Sequence, residues 1–473
     1  MKNKLLLIIL GLFICSLSFA DENHYINVFV GDRAAGLGGA YTALADGPEG
    51  VFYNPAGLAF SSSQYFSLSA NAIQFKMLYY KDVYTKSDNT PFNYMRYSLS
   101  FIPNFFGFIQ KAKHFTWAIT VSCPDSEFYD QRENATIIDY LDSGKTKPIN
   151  VPLNVNFNYK NQIYEAGPSI AFLPNKYFAI GMSAFFRYRD IQLINQSVRS
   201  FQEDADIGDG KGIRPRDYFE TTSNYENQRI LGLNFQIGIQ VMPIDKLSIG
   251  YSISTPFDMV DFKTNQSTQM VGMMNSDNYS VQSWKNSVTN NTFKAYHLAE
   301  NGLFRPLYIK QALGFCFFIN KSILLTLDGY LYIPIQNLDI NGNLVSYQWN
   351  KDTNRYDTYL GMGSTLYNKL NVTGNVAMGF ECYITPNFPL RLGFFTNFTN
   401  SQEIKDGDVN KDDYIHLLGG SFSFGFSTSD MSVNLGAVVQ GGVGKAQILS
   451  GTTNHQEVIG VTANLFISGG YQF

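Results

Sequence analysis

The final stretch, from Glu457 to Phe473, restricts the fold more than any other. It reads EVIGVTANLFISGGYQF. Ile459, Val461, Ala463, Leu465, Ile467, Gly469, Tyr471 and Phe473 share one parity. Gly460, Thr462, Asn464, Phe466, Ser468, Gly470 and Gln472 share the other. Side chains alternate across a strand, so one face is apolar and ends in aromatics while the other is polar or small, Phe466 excepted. The first face suits hydrocarbon and the second suits water, which is the pattern of a transmembrane barrel strand.

The pattern recurs. Val433, Leu435, Ala437 and Val439 alternate with Ser432, Asn434, Gly436 and Val438; Phe422, Phe424 and Phe426 alternate with Ser421, Ser423, Gly425 and Ser427. Leu231, Leu233, Phe235, Ile237 and Ile239 oppose Gly232, Asn234, Gln236, Gly238 and Gln240. Such dyad runs do not fit a helix. They predict an all-β fold, a transmembrane antiparallel β-barrel of about fourteen strands. The expected strands are 64–80, 94–103, 114–124, 162–174, 177–193, 224–243, 247–259, 304–320, 322–334, 370–385, 390–400, 413–428, 432–449 and 457–473. Short turns such as Asn175-Lys176 and Ser429-Asp430 alternate with long connections, expected as loops over 81–93, 125–161, 194–223, 260–303, 335–369, 401–412 and 450–456. Short periplasmic turns and long external loops are what a membrane barrel shows, and an even strand number puts both barrel ends on the periplasmic side. A soluble sandwich would use strands of about five to six residues.

Residues 1–20 read as a secretory signal peptide. Lys2 and Lys4 are its charged region, Leu5 to Leu17 its apolar core, and Ser18-Phe19-Ala20 its cleavage site, so the mature chain is expected to begin at Asp21. Ile14 is too bulky for Cys15 to be a lipoprotein cysteine. Beyond Ala20 there is no apolar run long enough for a membrane helix, and the mean hydropathy is -0.12. Yet 30 Tyr, 39 Phe and 40 Gly accompany only 16% charged residues. A polar lumen and aromatic girdles account for both facts. Without Lys2 and Lys4, 33 basic side chains face 39 acidic ones, which argues against a nucleic-acid partner. Cys123, Cys316 and Cys382 lie on different expected strands; they form neither a disulfide framework nor a metal site and read as small apolar residues. No cofactor is expected.

Residues 21–63 do not alternate. Ala34 to Ala45 is rich in Ala and Gly and reads as a short helix ended by Asp46-Gly47-Pro48. This compact segment has no place in the wall, so it is expected to sit in the lumen as a hatch or plug, ahead of a barrel over 64–473. Gly36-Leu37-Gly38-Gly39 is not a dinucleotide motif: its third glycine is misplaced and no acidic residue follows at the needed distance. Its glycines suit close packing against the wall.

Gly31-Asp32-Arg33-Ala34-Ala35-Gly36 to Asp46, followed by Tyr53-Asn54-Pro55-Ala56-Gly57-Leu58, resembles the N-terminal hatch of the FadL/TodX family of outer-membrane transporters for long-chain fatty acids and other hydrophobic compounds. Asn54, Pro55 and Ala56 resemble that family's NPA motif. The match covers about residues 31–58. The resemblance implies a hatch-plugged barrel in the outer membrane of a diderm bacterium. Its ligand would come from outside, bind in the lumen and leave through a gap at a kink in the third strand. The expected third strand, His114 to Cys123, has no internal Gly and only Pro124 at its end, which speaks against that gap here. The terminal Phe473 is similar to the signal read by barrel-assembly machinery.

Strand parity turns Arg96, Glu165, Arg187, Arg189, Lys310, Asp328, Glu381 and Arg391 toward the lumen. A cation facing lipid near the midplane would cost about 2–4 kcal/mol. Arg96, Lys310, Arg187 and Arg391 are the candidates to pair with a ligand carboxylate, Arg96 and Lys310 first. Burying the tail contributes about 0.8 kcal/mol per methylene, so the tail sets affinity and the cation orients the head. The bland alternative is that these charges pair with one another or with the plug. Asp406 to Asp413 resembles half a calcium loop, but it has Lys411 where a glycine is needed and Leu417 where a bidentate Glu is needed, so it reads as a solvated loop. His24, His114, His297, His416 and His455 have no lumenal Ser or carboxylate that sequence can pair with them, so no enzyme is expected. The function expected is passive transport of hydrophobic small molecules, with long-chain fatty acid the first choice of ligand and outer-membrane lipid the surroundings. A secretion-associated or surface-protein anchoring barrel and a general pore are the alternatives.

Overall fold

The computed structural model describes residues 24–472 apart from 62–63, 87–88, 141–147, 206–213, 275–280, 288–294, 297–304, 336–344, 351–354, 361–369, 410 and 449–452. The expected signal peptide, its cleavage point and Phe473 lie outside the described residues, as do parts of the long connections.

Fourteen strands close into one antiparallel barrel. They are β1 (Tyr65–Thr85), β2 (Pro91–Lys111), β3 (Phe115–Tyr140), β4 (Pro148–Asn175), β5 (Phe178–Ala205), β6 (Arg214–Ile244) and β7 (Leu247–Met274). β8 (Tyr308–Phe318), β9 (Ile323–Pro334), β10 (Thr373–Thr385), β11 (Phe388–Asn397), β12 (Leu417–Ser427), β13 (Met431–Ala446) and β14 (Gln456–Gln472) complete it. Each pairs with its neighbour, and β14 returns to β1 from Tyr65↔Gln472 to Tyr80↔Val458. Among the described residues no helix is long and apolar enough to cross a membrane.

The alternation survives in the accessibility. Leu99, Phe101, Ile119, Phe186, Leu418, Phe422, Leu465 and Ile467 are exposed on the outer face. Their strand neighbours Ser98, Ser100, Thr120, Arg187, Ser421, Asn464 and Ser468 turn inward, all but Ser100 buried. The eight charges assigned to the lumen lie on this inner parity. Phe466, the apolar exception on the polar face of β14, is 2% exposed and packs with Ala35, Ala40, Phe395 and Val438.

Several expected boundaries need correction. The stretches 125–161 and 194–223, expected as loops, are largely continuations of β3 and β4 and of β5 and β6. Their ladders run on through polar sequence, from Asp125↔Ile163 to Tyr140↔Pro148 and from Leu193↔Glu226 to Ala205↔Arg214. Backbone pairing does not require an apolar face, so hydropathy alone ended these strands too early. β2 runs to Lys111 rather than stopping at 103. The helix expected over Ala34–Ala45 spans only Asp32–Gly36 (α1), because Gly38 and Gly39 adopt φ of 64° and 85° and turn the chain out of the helix.

Candidate functional site: the inner segment and the split wall

Residues 24–61 lie against inward-facing side chains of strands on all sides of the barrel. This inner segment carries α1 and two 3-10 turns, Pro48–Phe52 and Pro55–Phe60. It has little regular structure, so its backbone polar groups need partners from elsewhere. The wall supplies many of them. Gln236 and Ser252 donate to the Tyr53 carbonyl at 3.0 and 2.6 Å, Gln240 to Ala43 at 2.9 Å, and Ser421 to Gly36 at 2.9 Å. Asn397 donates to Ile26 at 2.7 Å, and the Thr42 N–H donates to Asp328 Oδ2 at 2.7 Å. The polar parity read as water-facing is thus largely used to hold this segment.

Asn54 shows what the Asn-Pro-Ala tripeptide does physically. Its Oδ1 accepts from the Ala56 N–H at 3.1 Å and caps the Pro55–Phe60 turn. Its Nδ2 donates to the carbonyls of Thr42, at 2.9 Å, and of Ile239 on β6, at 3.0 Å. Pro55 stands at the first position of the turn, where its missing N–H costs nothing. Ala56 is fully buried.

Three pairs of cross-strand glycines make room for the segment. Gly181 and Gly238 are direct partners on β5 and β6, and a Cβ at Gly238 would overlap Asn54 Oδ1. Gly250 and Gly314, partners on β7 and β8, lie under Thr42 and Ala43. Gly379 and Gly393, partners on β10 and β11, lie under Leu37 and Gly38. Sequence reading placed the close-packing glycines in the segment; half of the arrangement is in the wall. A Gly on the inner parity of two neighbouring strands at matched register is the signal that would have found it.

An ion cluster completes the attachment. Arg33 donates to both oxygens of Glu381 on β10, at 2.8 and 2.9 Å, and to Asp46 at 2.7 Å. Arg391, directly opposite Glu381, donates to it at 2.6 Å and to Asn434 at 2.9 Å. Glu49, also in the segment, is 4% exposed; burial, then the neighbouring Asp32, push its carboxyl up to about 8.

The four candidate cations divide. Arg391 is committed to Glu381. Arg187 lies 3.2 Å from Asp258 and 3.7 Å from Glu165. Arg96 and Lys310 make no ion pair with a carboxylate among the described residues. Arg96 sits among aromatic rings, its guanidinium carbon 4.0 Å from the ring centre of Phe157, 5.3 Å from Tyr80 and 5.6 Å from Tyr94. Lys310 Nζ lies 5.3 Å from the ring centre of Tyr330. Around Arg96, Tyr80, Tyr94, Tyr129, Phe157 and Tyr159 share one apolar cluster.

The wall is not evenly sealed. β2 and β3 pair only from Lys111↔Thr116 to Phe105↔Ser122. Beyond that point β2 continues to pair with β1 and β3 with β4. The strands part where each carries an irregularity. On β2, Asn104 is an extra residue against β1, next to Pro103. On β3, Cys123 and Pro124 together oppose Tyr164 alone. Both are bulges, and a proline that cannot donate to a ladder lies beside the first and within the second. The gap that the sequence spoke against is therefore present as a split between β2 and β3, formed with proline and bulges rather than glycine.

The inner segment lies across this split. Asn104 donates to the Phe29 carbonyl at 2.5 Å and accepts from the Gly31 N–H at 3.4 Å. Asn27 donates to Asp125 at 2.9 Å on the other side. Val28 packs between them with Ile102 and Cys123.

No family model matches the sequence, and no curated protein matches it. Among solved structures the chain is similar to the Pseudomonas putida toluene transporter TodX, with 9% identity, a TM-score of 0.53, and 95% of this chain and 99% of that one covered. It is also similar to a Pseudomonas aeruginosa FadL homologue, with 9% identity, a TM-score of 0.56, and 96% and 100% covered. A TodX monoaromatic hydrocarbon channel carrying the deltaS2 mutation matches with 10% identity, a TM-score of 0.56, and 93% and 100% covered. The chain thus shares the fold of the FadL/TodX barrels, over nearly its whole length.

Proposed function

We propose that this barrel, with the FadL/TodX fold, carries hydrophobic small molecules passively across the outer membrane, and that long-chain fatty acids are its ligands. The observation that carries the reading is the split between β2 and β3 beside a lumen occupied by the inner segment. An axial pore for polar solutes would have no use for a break in its wall. A hydrophobic ligand does, because the break leads from a polar lumen to lipid.

In this reading the segment over 21–63 acts as the plug and the Asn54-Pro55-Ala56 turn fixes it. Ligand collects at the aromatic cluster around Tyr80 and Phe157, where Arg96 is the cation for a carboxylate head; Lys310, beside Tyr330 in a separate cluster, offers a second such cation. Movement of residues 27–31 then opens the split. The solved relatives described as toluene transporters and as a FadL homologue support a hydrophobic cargo. The terminal strand ending in Phe473 would direct assembly into the outer membrane.

The test is displacement of a fluorescent long-chain fatty acid from delipidated, refolded barrel by oleate. Saturable, displaceable binding supports the reading. No binding by correctly folded barrel rejects fatty acid as ligand.

A further inference from the structure

The short turns at one end of the barrel are of two kinds. Lys113, Lys176, Lys246 and Lys321 stand exposed in the turns β2–β3, β4–β5, β6–β7 and β8–β9. The turns β10–β11 and β12–β13 carry no cation; their exposed tips are Pro386 and Ser429-Asp430. Turn geometry does not explain the division. In Asn175-Lys176-Tyr177 and Asn320-Lys321-Ser322 the Asn oxygen accepts from the N–H two residues on, at 2.9 and 2.8 Å. Thr385-Pro386-Asn387 and Thr428-Ser429-Asp430 are closed in the same way by a threonine hydroxyl, at 3.4 Å in each. The apex residue is lysine on the first side only.

Apolar exposure, by contrast, continues round the rim. Phe115, Tyr177, Ile244 and Ile319 are exposed beside the lysines, and Ile384, Phe388, Phe426 and Met431 beside the other two turns. On a membrane barrel such residues face hydrocarbon up to its boundary. Each lysine lies one or two residues beyond one of them, so its ammonium group stands at headgroup depth on a stem that covers apolar surface. Successive turns are two strand spacings, about 10 Å, apart, so the cations form an arc across β2–β9. Asp245 is the one carboxylate in these four turns, and among the described residues none of the four lysines makes an ion pair.

We infer that this arc binds the phosphates of anionic phospholipids in the leaflet that meets the short turns. The barrel then gathers such lipids along β2–β9 and not along β10–β13. Two features favour a lipid over a soluble acidic partner. Every cation adjoins a side chain that faces hydrocarbon, and a spacing of about 10 Å suits separate headgroups better than one compact anion. The inference rests on the barrel's place in the outer membrane and is independent of its cargo.

The experiment reads tryptophan quenching of the full mature barrel in vesicles of phosphatidylcholine and phosphatidylglycerol, one of the two brominated on its chains. Trp117, exposed on β3 near Phe115, reports on the cationic side. Phe388→Trp with Trp117→Phe moves the reporter to the side without cations. Trp284→Phe and Trp349→Phe remove the remaining tryptophans from both proteins. A lysine at an anionic surface corresponds to roughly a fivefold preference, so phosphatidylglycerol should be favoured about fivefold at Trp117 and not at all at the second reporter. Lys113→Gln with Lys176→Gln should abolish the preference at Trp117, and Lys113→Arg with Lys176→Arg should keep it. Heat-modifiable gel mobility reports that each variant is a folded barrel. Equal preference at the two reporters, or a preference at Trp117 that survives the glutamines, overturns the inference. Neither readout involves a transported ligand, so that failure leaves the transport reading standing.

Discussion

Arg33 on the inner segment holds Glu381 on β10 through two parallel hydrogen bonds, and Arg391 holds the same carboxylate from the wall. Glu381 is 1% exposed, and among the described residues these two cations balance its charge. Replacing it, as in Glu381→Ala, leaves Arg391 buried without its acid. The expected loss is about 3–5 kcal/mol in the attachment of the segment. Faster hydrogen exchange across residues 31–46 in an otherwise intact barrel would report it.

Gly238→Val tests the glycine seats. Its side chain would overlap Asn54, so the Pro55–Phe60 turn must shift. Overpacking of this kind costs roughly 1–3 kcal/mol. The strand itself accepts Val readily, so the barrel should still form. The expected readout is protease access to the inner segment with unchanged gel mobility. Gly374→Val, at a wall position with open space nearby, should do neither.

Glu49 gives the segment a pH dependence. Its folded carboxyl keeps its proton to about 8, against 4.5 ordinarily. The folded state therefore binds the proton more tightly, and its contribution to stability is full below the unfolded value. It falls as pH rises toward and through about 8. Hydrogen exchange of residues 47–53, corrected for intrinsic rate, should loosen over that window. Glu49→Gln should flatten the profile.

Among the described residues Arg96 and Lys310 make no ion pair with a carboxylate, whereas Arg187 and Arg391 do. Arg96→Ala with Lys310→Ala should weaken fatty acid binding about tenfold or more, since each removes a charge-assisted contact. Barrel stability should fall only by the lost ring contacts, about 0.5–2 kcal/mol at Arg96. Arg187→Ala is expected to do the reverse, because it removes the buried guanidinium that lies between Asp258 and Glu165.

The barrel was legible because one requirement, an apolar face toward lipid, writes itself into every second residue. The inward placement of Glu381 and Arg391 follows from the same rule. Phe466 breaks the rule, and the contact with Ala35 and Ala40 explains why. What parity could not give is pairing. That Arg187 meets Asp258, while Arg96 meets Phe157, depends on strands far apart in sequence. The ends of the long strands were missed because backbone ladders continue without an apolar face. The split was missed for a related reason. Pro103 and Pro124 were visible, but their effect depends on lying beside the same ladder, and only the register Phe105↔Ser122 shows that they do.

The central claim is that cargo leaves through the split between β2 and β3. Ile102 on β2 and the native Cys123 on β3 share one buried cluster across it. The most direct measurement is fatty acid uptake by Ile102→Cys barrel, oxidised and then reduced, in liposomes. The account predicts that a disulfide from position 102 to Cys123 stops uptake and that reduction restores it, with oleate binding kept throughout. Undiminished uptake by fully cross-linked barrel would contradict it.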